Sequence, residues 1–409
     1  MRKLAFFAHD STESTVVKRA EAFQANGARV TGFMFRRRGR PERPMSWENI
    51  PLGVTDDRNY LARLPKLLWG VLKVLRHARQ LRQCSVLYAR NIDMLFIAVL
   101  TKLLTGARGI VVYELLDIRG VFLGKGLVNR LFRWAERRLM AACHLVVVSA
   151  PDYVTHYLHA VQGYRGACFL MENKLSARTL PPPSAAPAEP LPPGPPWIVG
   201  MYGVLRCRRS LDILCEVARR LPDKSSIYLR GVVSETDIPL DELVTLSQRI
   251  PNVTYGGAYS SPRDLPEIYG KAHFIWALDF LAVGGNSEWC LANRIYEGGA
   301  MGTVLLAEAG NATGRMVERE GLGFTLERDP KSGSQFSEKS SLLATEPFAD
   351  ALATFLEDMT PEKYEAARQR LKGVKRSVFV DEIDTAELLK TLDELWEAEN
   401  IKHLKSVVA

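Results

Sequence analysis

Short apolar runs alternate with helical patterns along this chain, and the alternation stops once, at a proline-rich stretch, before it begins again. Such a rhythm makes consecutive strands run parallel, because each is reached by a crossover that lays a helix on one face of the sheet. Residues 3–8 read as a strand, 15–26 as a helix stopped by Gly27, and 29–35 as a second strand, a βαβ opening. Strands at 86–89, 109–115 and 145–148 and helices at 93–105 and 126–142 continue it. The expected class is α/β, with a parallel sheet covered on both faces.

The restart predicts strands at 197–202, 226–230, 253–255, 274–277 and 303–307, with helices near 210–220, 240–249 and 288–300. Between the two series, residues 181–196 hold nine prolines, too many for a sheet, and read as an extended linker. The expected domains are residues 1–180, Rossmann-like and basic, and 197–346, a second Rossmann-like domain; residues 347–409 read as helices that cover a domain face or cross back. Two such domains would meet at a cleft lined by their strand ends.

Of the 409 residues, 47% are hydrophobic and 24% charged, which excludes a disordered or fibrous chain. The apolar run 94–101 ends at Lys102, far short of the roughly 18 residues that span a bilayer. The run 4–8 is too short for a signal-peptide core, so the expected location is cytoplasmic. Six cysteines without a C-x-x-C spacing predict reduced thiols, neither a zinc site nor a disulfide framework. The net charge of +8 is uneven: residues 1–180 carry 29 Lys and Arg against 13 Asp and Glu, so the two parts stand at +16 and −8. A basic first part suits phosphates, anionic lipid or nucleic acid.

Two segments carry candidate chemistry. Gly203, Arg206, Arg208, Arg209 and Ser210 fall between an expected strand and an expected helix, where amides, helix dipole and arginines make an anion site suited to a pyrophosphate. A solvated basic turn is the plainer reading, and neither a G-x-G-x-x-G nor a P-loop pattern accompanies the segment. In the second, Gly284 and Gly285 let a ligand approach the backbone, and Ser287 is placed to cap a helix. Along that helix Asn286, Asn293 and Glu297 are expected near one face, with Arg294 and Tyr296 beside them, and a carboxylate there can accept from two ribose hydroxyls. The alternative is a helix whose polar side faces water.

With Glu297 in a Y-E-G-G-A-M-G context before a strand, these segments resemble the donor site of family-4 glycosyltransferases of the GT-B fold, and the likeness covers nearly the whole chain. It implies a retaining glycosyltransferase of the bacterial polysaccharide-biosynthesis type. By that resemblance Gly203 stands at the glycine-rich turn, with Arg206 and Arg209 in the basic roles; Arg209 occupies a position where the family usually has lysine. The second glutamate of the family's E-x7-E motif maps onto Glu297. The first falls on Trp289, with Glu288 one residue away, so Asn286 or the Gly284 and Gly285 amides would serve the sugar instead.

The resemblance extends more loosely to the first half, where Asp10, Arg90, Glu114 and Asp117 lie at strand ends expected to face an acceptor. A buried ion pair between Arg90 and Glu114 or Asp117 explains those residues equally well. Residues 64–82 plot as one helix with leucines and valines on one side, Lys66, Lys73 and Arg76 opposite, and Trp69 on the basic side. That pattern predicts contact with an anionic membrane, against the alternative of an ordinary packed helix. A second basic, aromatic helix contains Arg130, Arg133, Arg137, Arg138, Phe132 and Trp134.

The function expected from the sequence is transfer of a sugar from a nucleotide diphosphate sugar, UDP-sugar favoured, to a hydroxyl of a lipid-linked saccharide or glycan. Arg206, Arg209 and Asn286 are the expected catalytic groups. No metal or other cofactor is expected, because arginines and amides stabilise the leaving diphosphate. The expected partners are the donor, the acceptor and the inner membrane face, with no nucleic acid. The competing readings are a nucleotide-sugar epimerase on the same fold and, from another class, a basic nucleic-acid-binding protein, which only the positive first half supports.

Overall fold

A computed structural model of the chain describes residues 2–38, 44–55, 60–178, 180, 191–327 and 345–408. The chain divides into two compact units, Met1–Asn173 with Glu382–Ala409, and Lys174–Asp381. Residues 181–190 of the expected linker lie outside the described residues.

The first unit is built on seven strands: β1 (Lys3–Ala8), β2 (Arg29–Arg37), β3 (Glu48–Thr55), β4 (Val86–Arg90), β5 (Ile110–Leu115), β6 (Leu145–Val148) and β7 (Cys168–Leu170). Their spatial order is β3-β2-β1-β4-β5-β6-β7, every pair parallel. The order reverses between β1 and β4, so the carboxyl ends of those strands, at Ala8 and Arg90, flank the crevice where doubly wound sheets bind ligands. Phe6, Phe23 and Tyr88 pack edge to face on one side of this sheet, with ring centroids 5.1 to 6.0 Å apart. Such pairs contribute about 0.5–1.5 kcal/mol each beyond their buried area. The helices Ser14–Ala25 and Asp384–Val408 cover that side. On the other lie the helices Tyr60–Arg76, Asn91–Thr105 and Leu127–Met140, the middle one packed against both neighbours.

The second unit contains β8 (Leu175–Ser176), β9 (Trp197–Leu205), β10 (Ser225–Val233), β11 (Val253–Tyr255), β12 (Phe274–Trp276), β13 (Val304–Glu308), β14 (Gly323–Leu326) and β15 (Val380–Asp381). Six of them make a parallel sheet in the order β11-β10-β9-β12-β13-β14, and β8 pairs with β15 apart from it. The switch point here lies between β9 and β12. The helices Glu346–Glu357 and Pro361–Lys372 pack on this unit, whereas the last helix belongs to the first unit.

Three sequence expectations are corrected. Glu48–Thr55 is a strand that Pro51 and Gly53 concealed. The helix read across residues 64–82 is two, Tyr60–Arg76 and Ala78–Arg82, parted at His77. The helix expected over 288–300 is also broken: a single turn, Asn286–Trp289, is followed by extended backbone at Cys290 and then by the helix Asn293–Ala300.

Candidate functional site

At the switch point of the second unit, β9 runs on to Leu205 and delivers Arg206 and Cys207 into the helix Arg208–Arg220. The connection is tight, so three arginines gather around one helix N-terminus, and no acidic residue occupies its first turn. Cations at the positive end of a helix dipole are unfavourable unless an anion joins them. The structure handles the three differently. Arg208 grips the Glu242 carboxylate, with Nη2 to Oε2 at 2.5 Å, and this hydrogen bond holds Glu242 below its usual range. Arg209 lies against two aromatic rings, its guanidinium carbon 4.6 Å from the Phe280 centroid and 5.6 Å from that of Phe348. Arg206 is exposed. Arg206, Arg208 and Arg209, with Phe280, Leu281 and Val283, line a pocket of about 680 Å³, to which Asp212 and Asp237 add carboxylates. Burial pushes the Asp212 carboxyl up.

Gly203 is not in the turn. It pairs with Gly231 inside the ladder of β9 and β10, at φ +110°, and a Cβ on Gly231 would stand 1.6 Å from the Gly203 carbonyl oxygen. Both positions favour glycine, Gly203 by its positive φ and Gly231 by its φ of +141° and by the close approach of the facing backbone.

The break at Cys290 separates residues expected on one face: Asn286 sits in the short turn, while Asn293 and Glu297 share the helix that follows. Ser287 does not cap that helix; its buried hydroxyl accepts from the Ala282 amide and closes the loop containing Gly284 and Gly285. Gly284, at φ +75°, is exposed and Gly285 is buried. Arg294 donates through Nη1 to the Trp276 carbonyl at 2.6 Å, tying its helix to the end of β12. Tyr296 is buried in the core, so it holds the helix to the sheet and does not present a face to a ligand. Glu297 accepts from the Tyr269 hydroxyl at 2.7 Å. Tyr269 lies 28 residues away in sequence, and no spacing signals the pair.

In the first unit Arg90, Glu114 and Arg19 form a buried ionic cluster. Arg90 Nε is 2.8 Å from Glu114 Oε2, and Arg19 donates to Oε1 from Nη2 at 3.1 Å and Nε at 3.2 Å. The ion-pair reading therefore describes Arg90 and Glu114, with Arg19 as a member the sequence did not indicate. The three side chains face one another, so Arg90 and Glu114 are removed from direct acceptor contact. Asp117 lies beyond β5, exposed. Asp10 is fully buried and accepts from the Thr12 amide at 3.1 Å and its hydroxyl at 2.7 Å.

Beside Asp10 stands a pair not singled out from the sequence. His9 Nε2 is 2.7 Å from Glu13 Oε2, and Nδ1 is 3.1 Å from the Asn91 amide nitrogen. Burial raises the Glu13 carboxyl, but the hydrogen bond and charge of His9, with Arg90, outweigh it and hold Glu13 well below the usual carboxylate range. Asn91 adopts φ +68°, the one positive φ outside glycine among the described residues. Backbone of that kind concentrates at functional sites. His9 and Glu13 stand four positions apart, but the segment between them is a loop and not a helix, so that spacing did not signal the pair.

No family model matches the chain. It is 34% identical over 396 residues to the succinoglycan biosynthesis protein ExoL of Rhizobium meliloti (strain 1021), a match spanning 96% of this chain and 93% of that protein. The chain belongs to the ExoL family. Among solved structures, it resembles a sucrose-phosphate synthase from Thermosynechococcus elongatus at TM-score 0.69 and 15% identity, covering 97% of this chain and all of the other. Anabaena HepE in complex with UDP and glucose superposes at TM-score 0.65 and 16% identity, covering 96% of this chain and 100% of that one. WaaG, a glycosyltransferase involved in lipopolysaccharide biosynthesis, gives TM-score 0.58 at 13% identity over 92% of this chain and 97% of its own. At these identities the structures speak for the fold alone, and the fold of this ExoL-family member is that of GT-B glycosyltransferases.

Proposed function

We propose that the protein is a glycosyltransferase of polysaccharide biosynthesis, moving a sugar from a nucleotide diphosphate sugar, UDP-sugar first, to a hydroxyl of a lipid-linked saccharide or glycan. The observation that carries this is the division of labour among the three arginines. All three line the pocket at the helix N-terminus, but Arg208 is paired with Glu242, while Arg206 is exposed and Arg209 lies on the rings of Phe280 and Phe348. In the proposed step the acceptor oxygen bonds to the anomeric carbon as the bond to the diphosphate breaks. The charge that develops on the departing diphosphate meets Arg206, Arg209 and the helix amides, and the acceptor's proton leaves to the diphosphate or to solvent. Glu297, oriented by Tyr269, is assigned to the ribose, and Asn286 with the Gly284 and Gly285 loop to the sugar. Asp117 and the His9 and Glu13 pair are assigned to the acceptor side, with Asp10, Arg90 and Glu114 shaping the strand ends behind them.

Support from relatives is of two kinds: ExoL is named for succinoglycan biosynthesis, and HepE is held in complexes with UDP and with UDP-glucose. The deciding experiment incubates the purified protein with UDP-, GDP- and ADP-sugars and follows release of the nucleotide, with and without a lipid-linked saccharide. Release from one donor, accelerated by the acceptor, is the expected result; release from none overturns the proposal. The coupling constant of the product's anomeric proton then decides between inversion and the retention implied by the family-4 likeness.

A further inference from the structure

A helix that packs on a sheet needs one apolar stripe, and the helices on the outer side of the first unit have two. In Tyr60–Arg76, the buried stripe is Leu67, Val71 and Val74, yet Leu64, Leu68 and Leu72, at i, i+4 and i+8, face solvent with Trp69 beside them. The apolar side expected from the sequence is thus split between core and surface. Leu127–Met140 is the more extreme case. Its sheet-facing side buries a carboxylate, Glu136, which accepts from Tyr113 at 2.7 Å and Gln162 at 2.5 Å and also from Tyr157. Its outer side shows Leu127 at 81% exposure, Val128 at 62%, Leu131 at 61% and Trp134 at 53%. Between these two helices, Asn91–Thr105 ends in Leu103 at 73% and Leu104 at 60%. Outward apolar side chains on three neighbouring helices of one side of a sheet mark an interaction surface.

Charge says what covers it. No acidic residue occurs from Tyr60 to Arg82, the one acid from Gly120 to Met140 is the buried Glu136, and the helix between them carries one, the half-buried Asp93 in its first turn, at the end opposite Leu103 and Leu104. Arg76, Arg130, Arg137 and Arg138 are exposed on the same helices. Arg76 lies 5.7 Å from the Trp69 ring centroid and Arg138 5.7 Å from that of Trp134. Tryptophan capped by arginine, beside outward leucines on two helices that expose no acid, matches the boundary between anionic headgroups and acyl chains. We propose that this three-helix face of the first unit docks on an anionic lipid bilayer, with Leu131 and Trp134 inserted and the arginines at headgroup level. The proposal stands independently of sugar transfer, since vesicle binding is read without any donor.

The test uses the full chain with phosphatidylcholine vesicles, with and without phosphatidylglycerol, and with brominated acyl chains as quenchers. The parent should sediment with the anionic vesicles, less so as salt rises, and its tryptophan fluorescence should be quenched. Leu131→Ser with Trp134→Ser should lower partitioning by at least about tenfold, the loss expected for withdrawing two large apolar side chains from lipid. Arg130→Glu with Arg138→Glu should abolish the preference for anionic vesicles. Trp134→Phe should keep binding and lose part of the quenching. An unchanged far-UV circular dichroism spectrum and urea midpoint in each variant shows that the first unit is intact. Sedimentation of the serine variant equal to the parent's overturns the proposal. So does a parent that ignores vesicles and elutes as a dimer that the serine variant dissociates, because the face is then an interface between two copies.

Discussion

The Tyr269 hydroxyl donates to Oε2 of Glu297 at 2.7 Å, from a ring that is fully buried beneath the helix bearing the carboxylate. Burial, reinforced by the negative charge of Glu297, pushes the tyrosine far above its ordinary value. The hydroxyl therefore remains a donor at neutral pH. One carboxylate oxygen is thereby fixed from below, and the orientation of the group is set before any ligand arrives. Tyr269→Phe should weaken UDP binding by on the order of threefold to tenfold, the worth of one such hydrogen bond. Glu297→Ala should weaken it further, and titration calorimetry checks both. Unchanged affinity in the two variants removes Glu297 from the site.

The three arginines after β9 should separate by mutation. Arg206→Ala and Arg209→Ala should each lower transfer by at least about tenfold, because each withdraws a charge-assisted contact from a developing anion. Arg208→Ala should stay within about threefold of the parent, since its charge is already taken up by the half-exposed Glu242 and such pairs contribute little. Initial rates at saturating donor measure this, and equal losses at all three positions contradict the assignment.

Activity should persist in EDTA, because cationic side chains meet the leaving-group charge in the proposed mechanism. Loss of turnover on chelation, restored by magnesium or manganese, would refute that mechanism while leaving the arginine contacts possible.

Glu136 should make stability depend on pH. Burial pushes its carboxyl above the ordinary value of 4.5, and the hydrogen bonds from Tyr157, Tyr113 and Gln162 only partly counter this. A carboxyl raised in the folded state supports folding fully below its unfolded value and loses that contribution as pH rises through the folded one. Urea midpoints of the parent should fall on raising the pH from about 4.5 through that range, whereas Glu136→Gln should flatten the decline. Parallel curves for the two proteins would show that Glu136 ionises in the folded protein as it does in water.

Legibility in the sequence followed the range of the interaction. β1, β6, β11 and the helix Leu240–Arg249 have the ends expected from their residues, because an apolar run bounded by turn formers or charge decides them locally. The extension of β9 past Gly203 was hidden, since a positive φ inside a ladder depends on the facing Gly231. Two Rossmann-like domains were legible in the repeated alternation, and the GT-B fold in the family resemblance carried by the Gly203 and Glu297 segments. The partners that position the candidate groups were not: Glu242 stands 34 residues from Arg208, and Arg19 stands 95 from Glu114. Such pairs exist only once the sheet has brought its strand ends together, so no local spacing encodes them.

The return of the last helix to the first unit has a consequence for synthesis. Leu388, Leu389 and Leu392 lie in the same core as Leu4 and Phe6, and Arg2 donates through Nε to Asp393 at 2.6 Å. Domains ordinarily fold as they emerge from the ribosome, the N-terminal one first. In this chain the unit translated first is the one completed last. Until residues 384–408 emerge, the helix Ser14–Ala25 alone covers that side of its sheet while the whole second unit is made, so a stalled or clipped chain carries a folded second unit and a first one with part of its core open to aggregation.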